Sequence, residues 1–358
     1  MEHKHKLTIA ILSLIVLAAA FITVSLLVQR VADEQESIDE SDELIIDEEK
    51  AVTPGADLPD EKEAKSNEAA VLSVAFMVHM EGWSNEAEDI NAYESHIGAI
   101  QELRTLFDRY DAKLTLEASP ELIEADAKWG QYWIAKWDEA GHGIGVHADV
   151  GGSLRETQTS MTLEMRVMRE NLEKLLGHQV LHVSGVCSAN DWVEATIDAG
   201  FEFVTGIVGY CAMAMPAESR PAEFRFCANP GECHDPMPTT IAEKLHPWST
   251  SDVSTWTTPD VNGELTLLPG TEIIKGLDGD SSAFMPPDVD AYEVLLKEAI
   301  SLAEPGEVNL FYTGVSVGNA GINEDLYNDF LSRTQSYVDQ GLVEWKTLPE
   351  VYLEYKTN

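Results

Sequence analysis

Two short patterns in this chain pair an imidazole with a carboxylate two positions on: His79-Met80-Glu81 and His147-Ala148-Asp149. In an extended strand residues i and i+2 point to the same face, so each pattern presents its two polar groups together. Two imidazoles and one carboxylate are a common open ligand set for a divalent metal, with water in the remaining position. A metal held this way polarises a carbonyl and lowers the pKa of water, and a further side chain can then accept a proton. The ligands so read are His79, Glu81 and His147, with zinc the expected ion. Asp149 is either another ligand or the general base, and His182 is a spare ligand. Beside this stands a plainer alternative, a strand-end histidine that only satisfies its hydrogen bonds.

Such groups need a frame. Residues 71–78 form an apolar run that reads as a buried strand, and 92–110 carries Ile97, Ile100, Leu103 and Leu106 at helical spacing. Residues 113–117 read as a second strand. Ser119-Pro120-Glu121 is a helix start, and Gly141 is the expected stop. On that helix Trp129, Trp133 and Trp137 recur every four residues and read as a packing stripe. A third short strand ends at His147, and a fourth covers 179–183 with His182 near its end. A fifth covers 201–204, with helices at 162–176 and 190–199 between the strands. Residues 207–263 lose periodicity, and the alternation resumes through 264–268, 291–303, 308–311, 324–339 and 343–345. Alternation of this kind implies a parallel sheet with helices outside, an α/β barrel or an open doubly wound sheet. No Gly-rich phosphate fingerprint follows the first strand. In a barrel the active groups sit at the C-terminal strand ends, where both patterns fall.

The run Glu139-Ala-Gly-His-Gly-Ile-Gly-Val-His147 resembles the "aGHEIGxH" segment of polysaccharide deacetylases, carbohydrate esterase family four and its wider superfamily. Residues 75–82 resemble that family's opening strand, normally "TFDDG". Residues 188–201 resemble its stretch before "eaGf", and 308–351 resemble its ending. The resemblance implies a distorted (β/α)7 barrel and metal-dependent removal of N- or O-acetyl groups from sugars. It implies Glu81 as the metal-binding acid and His147 as the first metal-binding histidine. Four positions depart from the family. Met80 stands in place of the catalytic-base Asp, and Gly151 in place of the second metal His. His182 lies near the usual Arg of an absent "RxPY", and no late catalytic His occurs around Thr313. Two readings follow. One is a metal-dependent glycan deacetylase in which His79 and Asp149 replace lost groups. The other is a catalytically inactive module that binds a surface glycan or protein.

The 358 residues carry 23 Lys+Arg against 63 Asp+Glu, a formal charge of −40, which excludes a nucleic-acid binder. Thr8–Val28 runs 21 residues without a charge, long enough for a membrane helix, and Lys4 and Lys6 place its start in the cytoplasm. Residues 1–32 therefore read as cytoplasmic tip and anchor, with a cleaved signal peptide as the rival. Residues 33–70 read as an acidic disordered linker, and 71–358 as the barrel with the excursion 207–263. The expected location is the cell membrane, single-pass, with the domain outside. There, Cys187, Cys211, Cys227 and Cys233 read as disulfides. The favoured pairs are Cys227–Cys233, closing a short loop, and Cys187–Cys211, following neighbouring strands. Trp83, Trp248 and Trp256 fall in loop-like stretches where rings could stack on sugars.

Overall fold

A computed structural model describes residues 70–80, 85–152, 156–227, 233–270, 274–275, 286–317 and 322–358. The expected anchor, nearly all of the acidic linker, Glu81 and Trp83 lie outside these residues. Among them no helix is long and apolar enough to cross a membrane.

The fold is α/β. Among the described residues ten strands make one sheet: β1 (Leu72–Met80), β2 (Leu114–Ala118), β3 (Gly143–His147), β4 (His182–Ser184), β5 (Phe203–Val204), β6 (Trp248–Thr250), β7 (Leu265–Leu267), β8 (Ile274–Lys275), β9 (Leu310–Ser316) and β10 (Val343–Trp345). Their order is β6-β7-β5-β4-β3-β2-β1-β9-β8, with β10 added beside the start of β1. Every pairing is parallel except β6 with β7. Among the described residues β6 and β8 are the two ends of the order, so the expected barrel is present as an open sheet.

The helices are α1 (Ile90–Asp108), α2 (Pro120–Trp129), α3 (Trp133–Glu139), α4 (Gln158–Leu176), α5 (Trp192–Ala199), α6 (Ile241–Lys244), α7 (Pro286–Leu302), α8 (Glu324–Val338) and α9 (Leu348–Thr357). Strand alternation divides the core in two. Val74, Phe76, Val78 and Met80 of β1 belong to the large cluster shared with the helices. Ala75 and Met77 belong to a second cluster with Tyr312, Leu348, Val351 and Tyr352. This second cluster is the inner face, and α9 lies across its base. The Leu348 N–H donates to Thr115 Oγ1 at 2.9 Å, and a Cβ on Gly143 would meet Pro349 at 2.8 Å.

Three expectations change. The helix read from 119 to 140 is two helices, because Gly130 takes φ 65° and ends the first. Asp126 then turns back to cap the second, accepting from the N–H groups of Trp133 and Ile134. Trp129, Trp133 and Trp137 thus sit on two helices, though all three pack against the same core as expected. The excursion 207–263 is partly ordered into α6, 3₁₀ turns and β6. Finally, α9 and β8 were not read from the sequence, although Thr347 and Glu350 make a capping box around Pro349. The cysteines pair as Cys187–Cys211 and Cys227–Cys233.

Candidate metal centre

The register sets the site. His79 sits at the end of β1 on the inner parity of Ala75 and Met77, opposite Glu117 of β2. Glu117 shares its face with Thr115, while Leu114, Leu116 and Ala118 pack toward the helices. His147 closes β3 beside Ser184 of β4. His182 lies two residues before Ser184 on the same face, and Thr205 follows β5.

These side chains meet on the Glu117 carboxylate, which is wholly buried. Oε1 accepts from Thr205 Oγ1 at 2.6 Å and stands 2.9 Å from His182 Nε2. Oε2 accepts from Ser184 Oγ at 2.6 Å and stands 2.9 Å from His79 Nδ1. Burial alone would raise the carboxyl's pKa. The imidazoles of His79 and His182 outweigh it and hold the group well below the usual carboxylate range.

The His182 tautomer follows from its partners. Thr205 gives its proton to Glu117, so the His182 Nε2–H donates toward Thr205 Oγ1 at 2.7 Å and Glu117. Its Nδ1 is buried without a hydrogen-bond partner. The ring lies directly over Gly145, where a Cβ would come within 2.3 Å of that Nδ1, so only glycine admits it.

Four atoms close a ring: His79 Nδ1, Glu117 Oε2, Ser184 Oγ and His147 Nδ1. The neighbouring pairs stand 2.9, 2.6, 2.9 and 2.9 Å apart. Each contact needs a proton between its atoms, or a cation among them, and an imidazole nitrogen carries a proton or a lone pair, never both. With Glu117 ionised, Ser184 gives its proton to the carboxylate. A proton on His79 Nδ1 then leaves His147 Nδ1 facing a Ser184 lone pair. A proton on His147 Nδ1 instead leaves His79 Nδ1 facing the carboxylate. Protons on both set two donors face to face. No placement of protons on neutral imidazoles fills all four contacts at once, and the four atoms converge as the donors of a cation site do. His79, Glu117 and His147 offer three ligand atoms within 4.8 Å of one another, all from buried residues, so they fit a divalent ion.

Among the described residues, which do not include Glu81, two of the expected ligands meet a further acid. His79 and His147 are brought together, and the acid beside them is Glu117, with Ser184 and Thr205 as its hydroxyl donors. One signal pointed to Glu117, an isolated carboxylate in the apolar strand Leu-Thr-Leu-Glu-Ala at inward parity. His182 reaches Glu117 from the far side and stands outside the three-ligand group. Asp149 also stands outside it. β3 ends at His147, and Asp149 turns to φ 46° with an exposed side chain, which breaks the alternation behind the paired reading. Gly151 takes φ 94°, and a Cβ there would lie 2.5 Å from the Cys187 carbonyl oxygen, so that position cannot hold a histidine. Met80 faces the helices. Trp256 is fully buried, and the nearly buried Trp248 donates its Nε1–H to the Trp256 carbonyl, so neither ring offers a face to a sugar.

No protein-family model and no curated protein sequence matches the chain. Solved structures do. A Mycobacterium smegmatis protein assigned to the polysaccharide deacetylases is similar at 11% identity, over 86% of this chain and 96% of that one, with a TM-score of 0.49. A Pseudomonas aeruginosa protein with the same assignment gives 11% identity, 81% and 92% coverage and a TM-score of 0.48. The allantoinase Puue gives 12% identity, 85% and 99% coverage and a TM-score of 0.47. The chain is thus similar to solved polysaccharide deacetylases, at identities that carry no residue-by-residue correspondence.

Proposed function

We propose that this protein is a divalent-metal hydrolase of the polysaccharide deacetylase type, removing acyl groups from a glycan. One observation carries the reading: buried His79, Glu117 and His147 bring three ligand atoms within 4.8 Å of one another at the C-terminal ends of parallel strands. A divalent ion, with zinc the favoured one for two imidazoles and a carboxylate, would supply Lewis-acid polarisation of the acyl carbonyl and acidify water. The chain's own groups prepare the place. His79 and His147 present Nδ1 atoms from the ends of β1 and β3, on either side of β2. Glu117 supplies the compensating charge. Thr205 and His182 hold its Oε1, which leaves Oε2 turned to the ring. Glu117 is committed to this role, so the proton acceptor is sought in Glu81 or Asp149, each two residues beyond a ring imidazole.

The second reading, an inactive module that binds a glycan or protein, is favoured by the turned-out Asp149 and by glycine at 151. The test uses purified protein stripped with chelator and reloaded with one equivalent of zinc, cobalt or manganese. Metal-dependent release of acetate from N-acetylated or O-acetylated oligosaccharides supports the hydrolase. Stoichiometric metal with no acetate release supports the module, and no metal uptake rejects the centre itself.

The run Thr8–Val28 further supports a membrane anchor with the domain outside the cell. Protease added to intact cells should remove the domain and leave a short N-terminal fragment. A soluble mature chain beginning near Phe21 would instead establish a cleaved signal peptide.

A further inference from the structure

Ser184 has a place in the ring that its bond to Glu117 does not explain. A hydroxyl that only steadied the carboxylate would need one neighbour. Ser184 Oγ has two, Glu117 Oε2 at 2.6 Å and His147 Nδ1 at 2.9 Å. It has one proton, and the shorter contact takes it, so its lone pairs are left toward the histidine side, where His79 and His147 converge.

The strand holds it there. Ser184 is wholly buried, and its register partner in β3 is His147. Its carbonyl accepts from the Ala148 N–H at 3.0 Å. Gly185 follows at φ 67°, so close to the next strand that a Cβ would meet the Asp149 nitrogen at 2.6 Å. Backbone contacts on both sides thus fix the Ser184 Cα beside His147, and the bond to Glu117 holds the hydroxyl toward the ring.

We propose that Ser184 is a fourth protein donor to the metal, making a two-nitrogen, two-oxygen set with His79, Glu117 and His147. This rests on the metal reading above and goes past it, since three ligands with an open position is the ordinary hydrolase arrangement. A serine in the fourth place makes the set selective for ions content with four donors, zinc and cobalt, over magnesium and manganese, which favour more oxygens. It also keeps bulk water off the ion until the hydroxyl is displaced.

The test uses cobalt(II) as the probe in the full chain. Wild-type protein should bind one equivalent with the intense visible bands of four-coordinate cobalt. Ser184→Cys should add a thiolate-to-cobalt charge-transfer band in the near ultraviolet, after a thiol count confirms that both native disulfides persist. Ser184→Ala should bind cobalt at least tenfold more weakly and admit water, seen as faster solvent-proton relaxation than in wild type. The inference is overturned if Ser184→Cys binds a full equivalent without the new band. It is equally overturned if Ser184→Ala matches wild type in affinity and relaxation; in both cases the three-ligand centre survives. If wild-type protein binds no stoichiometric cobalt, centre and serine fail together. Should Ser184→Cys not fold, the Ser184→Ala comparison decides alone.

Discussion

Glu117 carries most of the site's electrostatics, and its replacement separates charge from shape. Glu117→Gln keeps the outline but loses the anion that faces His79 and His182. Zinc affinity should fall on the order of a hundredfold or more, measured by competition with a chromophoric chelator; unchanged affinity would remove Glu117 from the centre. Asp149 makes a different prediction. At φ 46° it is a non-glycine residue in left-handed backbone, so Asp149→Gly should stabilise the fold by a few tenths to about 1 kcal/mol in urea titrations. If Asp149 is also the base, that variant and Asp149→Asn retain metal while turnover drops roughly a hundredfold. Turnover equal to wild type would move the base to Glu81. At this scale the two imidazoles were legible because a strand-end histidine keeps its face. Asp149 does not join them because the i, i+2 rule presumes that the strand goes on, and β3 stops at His147; Glu81 lies outside the described residues.

Elements show the same limit. Three tryptophans at a spacing of four suggested one helix, and the periodicity is real within each piece. Local backbone chemistry won: Gly130 ends α2, and Asp126 reuses its carboxylate as the cap of α3 and the acceptor of the Tyr93 hydroxyl. Asp126→Ala should cost roughly 2–4 kcal/mol, since several buried donors lose one acceptor together; a loss under about 0.5 kcal/mol would deny it that role. The approach to β3 supplies a pH prediction away from the centre. His142 Nδ1 accepts the Leu114 N–H at 3.1 Å, and burial holds its pKa down at about 4. In the unfolded chain the imidazole takes a proton below about 6.5. Its contribution is therefore complete above that pH and drains away as pH falls toward about 4, by up to roughly 3 kcal/mol. His142→Gln keeps an acceptor but does not titrate, so the slope of stability between pH 6.5 and 4 should flatten. An unaltered slope would assign the acid sensitivity elsewhere. Strands and helices with simple periodicity, such as 324–339 and 343–345, were legible almost to the residue. β8 was not, because two residues carry no pattern.

At the scale of the whole molecule, charge and cysteine say more about surroundings than about chemistry. Residues 69–358 alone hold 47 acids and 17 bases, a balance of −30. Such a surface repels itself at low ionic strength. Thermal stability should accordingly rise when monovalent salt is increased from about 10 to 500 mM; a flat or falling midpoint would contradict this. Alternating strands and helices made the fold class readable, whereas the order of the strands was not, since it depends on long-range pairing that no local pattern encodes.

The position of α9 has a consequence for how this protein comes to exist. The inner face joins Ala75 and Met77, near the beginning of the domain, to Val351 and Tyr352, nearly 280 positions later. β1 likewise waits for β9 and β10 before it has all its neighbours. During synthesis a growing chain could therefore assemble the helix-covered side of the sheet while the surface that becomes the inner core stays exposed to solvent. Closing the inner core waits for α9, and the ring histidines of β1 and β3 are held against a finished interior only once that helix has docked. A chaperone or assembly factor serving this protein would meet it as a chain grown out to α9 with an apolar floor still open, and release would coincide with the moment the ring side chains become fixed.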